Sequence, residues 1–165
     1  MRLIPLTCGQ QAMVDDDDYE RITQHRWQAV LSPRKTRADV YYAVTSLNKK
    51  SVSMHKFIIG SVANGFQIDH KDCNPLNNQK ANLRLATASQ QGANRRVISG
   101  LGFKGVARGS NHYPYYSYIC VQGQSIFLGR FVSAEAAARA YDAAAIKYFG
   151  EFARLNFPIP PCLPV

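Results

Sequence analysis

Cysteine is scarce and scattered. The four cysteines, Cys8, Cys73, Cys120 and Cys162, form no C-x-x-C pair, which argues against a zinc knuckle and against a dense disulfide framework and leaves reduced thiols as the simpler reading. Long apolar runs are missing too: nowhere do 18 consecutive apolar residues occur, and the opening "MRLIPLTCGQQ" holds no apolar run of signal-peptide length. A soluble intracellular protein with no membrane partner is expected. A basic tail is also lacking, since residues 1–60, 61–100 and 101–165 each net +3. The 165 residues nevertheless carry a net charge of +9 and a pI near 9.6, so a polyanionic partner touched by folded surface is the first expectation. A hydrophobic content of 46% suffices for one mid-sized domain or two small ones.

Periodicity and turn residues then divide the chain. "MRLIPLT" reads as a short strand and "DDDDYERITQHRW" as a helix, its Asp15 to Asp18 run explained by the positive end of the helix dipole rather than by metal. Trp27, "VYYAVTSL" and "SVSMHKFIIG" suggest an antiparallel pair, and "FQIDH" a further strand. Residues 71–80 are polar and contain a proline, which predicts a loop. "ANLRLATASQQGANRR" is expected to enter a helix near Thr87 or Ser89, giving a ββα order. "VISGLG" reads as a linker. Beyond it, "GFKGVARG", "YYSYICVQG" and "QSIFLGRF" predict three strands with a tight Gln122–Gly123 turn, and "AEAAARAYDAAAIKYF" a helix begun at Ser133 and stopped at Gly150.

The chemistry-bearing pair is Asp69–His70. Hydrolysis of a phosphodiester requires a water in line, a group to take its proton, and positive charge against the phosphoryl oxygens. An imidazole titrates near neutrality, so His70 is the natural general base, and Asp69 is a hard oxygen donor suited to Mg²⁺ or Mn²⁺.

"IDHKDCNPLNNQKANLRLAT", preceded by "MHKFIIG", resembles the HNH endonucleases of the ββα-metal class, in particular the phage-borne homing type. That resemblance implies metal ligation by Asp69, proton abstraction by His70, and an Asn82 amide that pins the loop behind the base. It implies a second metal ligand on the following helix, where Gln91 stands at the matching position and Asn94 lies at i+3. His55 corresponds to the histidine that precedes the site in that family, either assisting at the phosphate or bracing the fold. Arg84, Arg95 and Arg96 are candidate phosphate contacts, with a structural salt bridge as the alternative for each.

Residues from Gly102 to Pro158 resemble the Apetala or ethylene-response-factor type of DNA-binding domain through "GFKGVARG", "IFLGRF", the Ala-rich helix and the closing "LNFP". The resemblance implies a three-stranded sheet laid on double-stranded DNA, with Lys104, Phe127 and Arg130 on the DNA side, Arg108 a further candidate in the first hairpin, and Tyr141 reaching a phosphate. Where plant members commonly carry arginines, this chain has Ala107, Cys120 and Ser125. The four tyrosines at 113, 115, 116 and 118 are candidates to pack on sugars, or else belong to the core and sheet surface.

The expectation is therefore an α+β chain: an N-terminal ββα-metal HNH nuclease domain (1–96), a linker (97–101), a three-stranded antiparallel sheet packed on one helix (102–158), and a tail (159–165). Its expected activity is metal-dependent DNA endonuclease, homing-type, acting as monomer or homodimer in the cytoplasm of a bacterial phage host. The alternative is a DNA-binding protein or regulator with a degenerate site, kept open by Gln91.

Overall fold

A computed structural model describes residues 1–32, 39–95 and 100–158, and the chain separates into two compact units, Met1–Ala88 and Ser89–Val165. Arg96, most of the expected linker and the tail at 159–165 lie outside the described residues. The described residues form small antiparallel sheets and four α-helices, an α+β arrangement.

In the first unit β1 (Arg2–Pro5) pairs antiparallel with β2 (Gln11–Val14), and α1 (Asp16–Thr23) follows. Three aspartates fill the first turn of α1, where carboxylates face the unpaired N–H groups; Asp16 also holds the N-terminal ammonium at 2.8 Å. A sheet of β3 (Gln28–Leu31), β4 (Tyr41–Leu47) and β5 (Lys50–Ser53) has β4 at its centre, and Asn48–Lys49 turn β4 into β5 with both φ angles positive. Then come α2 (Met54–Ile59), β6 (Phe66–His70) and β7 (Leu83–Thr87), the last two antiparallel with Asp69 opposite Arg84 and His70 opposite Leu83. Ile4, Val14, Ile22, Trp27, Met54 and Ile68 lie in the core of this unit. The Trp27 indole N–H donates to the Ile22 carbonyl at 2.9 Å, so the ring is buried with its one donor satisfied.

Three elements differ from the sequence expectation. "SVSMHKFIIG" is a short strand ending at Ser53 and then a helix: Met54 and Ile58, four apart, both face the core, which is a helical and not a strand period. "LRLAT" is strand β7, which was not expected, because pairing with β6 overrides its helix-favouring composition, while the helix after it starts at Ala88, between the two expected starts at Thr87 and Ser89. β2 also stands where no strand was expected, held between β1 and the loop near Leu76.

In the second unit α3 (Ala88–Asn94) precedes β8 (Val106–Arg108), β9 (Tyr115–Val121) and β10 (Gln124–Phe131), a sheet with β9 in the middle. Helix α4 (Ala134–Phe149) is capped by the Ser133 hydroxyl, which accepts from the Ala136 N–H at 3.2 Å, and ends at Gly150. Ala137, Ala138 and Ala145 are buried, so the small residues bring α4 close to the sheet. Asp142, buried in α4, accepts from the Asn156 and Phe157 backbone N–H groups at 2.8 and 2.9 Å, and Asn156 in turn accepts from the Lys104 N–H at 2.6 Å. This clamp fastens the closing "LNFP" segment to the start of the sheet.

Candidate functional site

β6 carries Asp69 and His70 to its C-terminal end, both buried. The loop that follows is ordered by its own polar side chains. Asp72 accepts from the Asn74 N–H (2.8 Å), the Asn77 amide (2.8 Å) and the Asn82 amide (3.0 Å), while the Asn82 carbonyl oxygen Oδ1 accepts from the Asp72 N–H at 3.1 Å. Burial works against ionisation of Asp72, but these donors outweigh it and hold its carboxyl below the usual range. Asn82 also donates to the Asn77 carbonyl at 2.8 Å, so its amide joins both ends of the loop.

The loop is fixed from the other side by β2 and α1. The Asn78 N–H donates to the Met13 carbonyl at 2.8 Å, and Met13 N–H to that of Leu76 at 2.7 Å. Asp15 accepts from the Gln79 amide (3.1 Å) and the Lys80 N–H (2.8 Å), and Asp18 takes the Lys80 ammonium at 2.9 Å. The acidic run thus braces the loop; dipole compensation alone does not account for it.

Asn78, which the sequence did not single out, lies against His70. It is 1% exposed, and its Oδ1 stands 3.5 Å from His70 Nε2 while its Nδ2 donates to the Pro75 carbonyl at 3.3 Å. With the amide so oriented, the oxygen facing His70 only accepts, which favours the tautomer with the proton on Nε2 and the lone pair on Nδ1. The only signal in the sequence was one asparagine among several in a turn-rich segment.

His55, on α2, meets His70 edge to face with ring centroids 5.2 Å apart. Burial, then the neighbouring His70 and Lys56 charges, push His55 down to about 4, and burial likewise lowers His70. Both rings are neutral at neutral pH, as a proton acceptor must be. Asp69 is paired with Arg84 across the strands, Nε to Oδ2 3.1 Å, with side chains 8% and 10% exposed. Arg84 is thus a buried ion-pair partner in this structure, not an exposed phosphate contact.

Among the described residues no group of three His, Cys, Asp or Glu side chains is placed to hold a metal ion. Asp69 supplies a hard carboxylate oxygen, the donor type that suits Mg²⁺ or Mn²⁺, ions that use few protein groups. Gln91 and Asn94 both lie on α3, Asn94 buried and Gln91 half-buried.

In the second unit the candidates fall into two groups. Phe127, Arg130 and Arg108 are exposed, as is Arg95 just past α3. Lys104 and Tyr141 have structural roles, contrary to the DNA-contact expectation. The Lys104 ammonium donates to the carbonyls of Gly92, Ala93 and Arg95, closing the C-terminal end of α3. Tyr141 is 4% exposed beside Ile119 and Ala145, and burial pushes its hydroxyl up to about 12. Of the four tyrosines, Tyr115 packs toward α4 while Tyr116 and Tyr118 lie on the opposite face of β9.

Comparison with known proteins bears on the same residues. Residues 55–93, which include His55, Asp69, His70, Asn78, Asn82 and Gln91, match the family model for HNH endonuclease. The chain is 29% identical over 153 residues to an uncharacterized HNH endonuclease of Acanthamoeba polyphaga mimivirus, covering 90% of this chain and 75% of that one. It is 54% identical over 39 residues to an AP2-like ethylene-responsive transcription factor of Arabidopsis thaliana, a match to 24% of this chain and 13% of the plant protein. A second plant factor of that description is 50% identical over 38 residues, 9% of its length.

Proposed function

We propose that the protein is a metal-dependent endonuclease that hydrolyses phosphodiester bonds in DNA. The observation that carries this reading is His70, buried and neutral beside Asp69, with its Nε2 turned to Asn78 inside the segment that matches the HNH endonuclease family. His70 accepts the proton of the attacking water at Nδ1. Asn78 fixes the tautomer, His55 holds the ring plane, and Asn82 keeps the loop in place. Asp69 would hold Mg²⁺ or Mn²⁺, which when bound supplies positive charge to the phosphoryl and leaving oxygens. The exposed cations of the second unit, Arg108 and Arg130 among them, attract DNA phosphates, which raises the effective concentration of substrate. Homing-type action in a phage-infected bacterial cytoplasm belongs to the same proposal. A monomer would nick one strand, and a homodimer would cut both.

One observation favours a second reading, a DNA-binding protein with an inactive site: the Arg84 guanidinium occupies the Asp69 carboxylate at 3.1 Å and competes with any cation for it. Supercoiled plasmid incubated with Mg²⁺ or Mn²⁺ separates the two. The nuclease reading expects nicked product, abolished by EDTA and reduced on the order of a hundredfold or more in His70→Ala. Retarded but intact plasmid, the same for both proteins, leaves only the binder.

A further inference from the structure

We propose that the outer face of the β8–β9–β10 sheet binds unpaired nucleobases of a single strand by stacking. The inference concerns the second unit alone and goes beyond the cleavage reading. Strand pairing sets Phe127 opposite Tyr118 and Arg130 opposite Tyr116, and a register shift between Phe127 and Gly129 keeps both β10 side chains on that face. The Tyr116 ring lies 6.1 Å from that of Tyr118 and 6.4 Å from that of Phe127, each pair tilted by only 36°. The three rings therefore make a nearly continuous platform. Phe127 is 60% exposed and Tyr118 40%, although the same sheet buries Ser117 and Ile119 on its other side. Tyr116, Phe127 and Arg130, with Gly109 and Ser110, line a concavity of about 280 Å³, below the usual size of a drug-sized ligand site.

The charge around the platform selects the partner. Arg130 stands opposite Tyr116 on the platform face, whereas Arg108, opposite Tyr115, falls on the α4 side; no strand of the sheet carries a carboxylate, and every acidic residue after position 100 (Glu135, Asp142 and Glu151) lies on or just beyond α4. A phosphate beside the rings therefore meets Arg130 and no carboxylate from the strands. A paired duplex, however, shows only base edges in its grooves, and these are read by hydrogen-bonding groups. At three positions across this face the side chains are Ala107, Cys120 and Ser125, too short to reach into a groove. Exposed rings gain most from base faces, and only unpaired bases present them. The proposed occupant is single-stranded DNA, the polymer that the first unit is proposed to cleave, with a stacked base beside a phosphate held by Arg130.

Fluorescence anisotropy with the full chain in EDTA, where metal-dependent cleavage cannot occur, tests binding separately from the nuclease reading. The probes are oligothymidine of about 12 nucleotides, an oligouridine and an abasic strand of equal length, and the matching duplex. Oligothymidine should bind at least about tenfold more tightly than the abasic strand or the duplex, and tighter binding of oligouridine would overturn DNA as the occupant. Phe127→Ala and Tyr118→Ala should each weaken that binding about tenfold, Tyr118→Phe should retain it, and Tyr148→Ala on α4 should leave it unchanged. Circular dichroism melting verifies that each variant is folded. Equal affinity for the abasic strand, tighter binding of the duplex, or a folded Phe127→Ala protein that binds as well as the original would overturn the proposal.

Discussion

At the scale of single residues, the site is governed by groups that burial keeps neutral. His55 is pushed from 6.5 to about 4 in the folded chain, chiefly by desolvation, while in the unfolded chain it regains its ordinary value. Between those two values the unfolded state binds a proton that the native ring does not, so stability is complete above about pH 6.5 and falls as pH drops toward 4. His55→Phe retains an aromatic ring against His70 but cannot titrate. Its urea-unfolding free energy should therefore depend less on pH across that window, by up to about 3 kcal/mol. Parallel pH curves for the two proteins would show that His55 is not the group responsible. The residues whose types announce chemistry, Asp69 and His70, were legible in the sequence, and so was Asn82. Asn78 was not, because the role of an amide is set by what its oxygen faces. The ion pair of Arg84 stood in the sequence as the alternative to a phosphate contact, and the interior roles of Lys104 and Tyr141 were not legible, since a cation or phenol reads as a surface group until its partners are known.

Among the elements, the close approach of α4 to its sheet rests on small residues at the contact. Gly105 has φ +71, and a Cβ there would overlap the Tyr141 ring and stand 2.7 Å from the Tyr118 carbonyl oxygen. Gly105→Ala should thus destabilise the protein by at least about 2 kcal/mol, from positive φ and overpacking together, observed as a lowered melting temperature. An unchanged melting temperature would mean that α4 can shift outward without loss. The second unit could be read from sequence because its boundaries carry local signals: Gln122 and Gly123 both adopt positive φ at the hairpin, Ser133 caps α4 and Gly150 ends it. In the first unit the signals are not local. β2 is held partly by the loop at residues 76–78, and β7 by pairing with β6 from the far side of that loop. Short segments of mixed propensity take their form from such distant partners.

For the molecule as a whole, the charge of +9 is shared evenly, since residues 1–60, 61–100 and 101–165 each net +3, so no one segment accounts for whatever attraction phosphates feel. Attraction of that kind releases counterions and weakens as salt rises, whereas stacking releases few. The two contributions can therefore be separated on one sheet face. Arg130→Ala removes a phosphate contact and should lower the slope of log affinity against log salt by about one, measured with oligothymidine over a salt series. Phe127→Ala should displace the whole line to weaker affinity and leave its slope unaltered. Both side chains border the same concavity, so a general distortion of the face would alter slope and intercept together in both variants. If Phe127→Ala flattened the slope as much as Arg130→Ala, the face would be acting through charge alone, and its exposed rings would need another explanation.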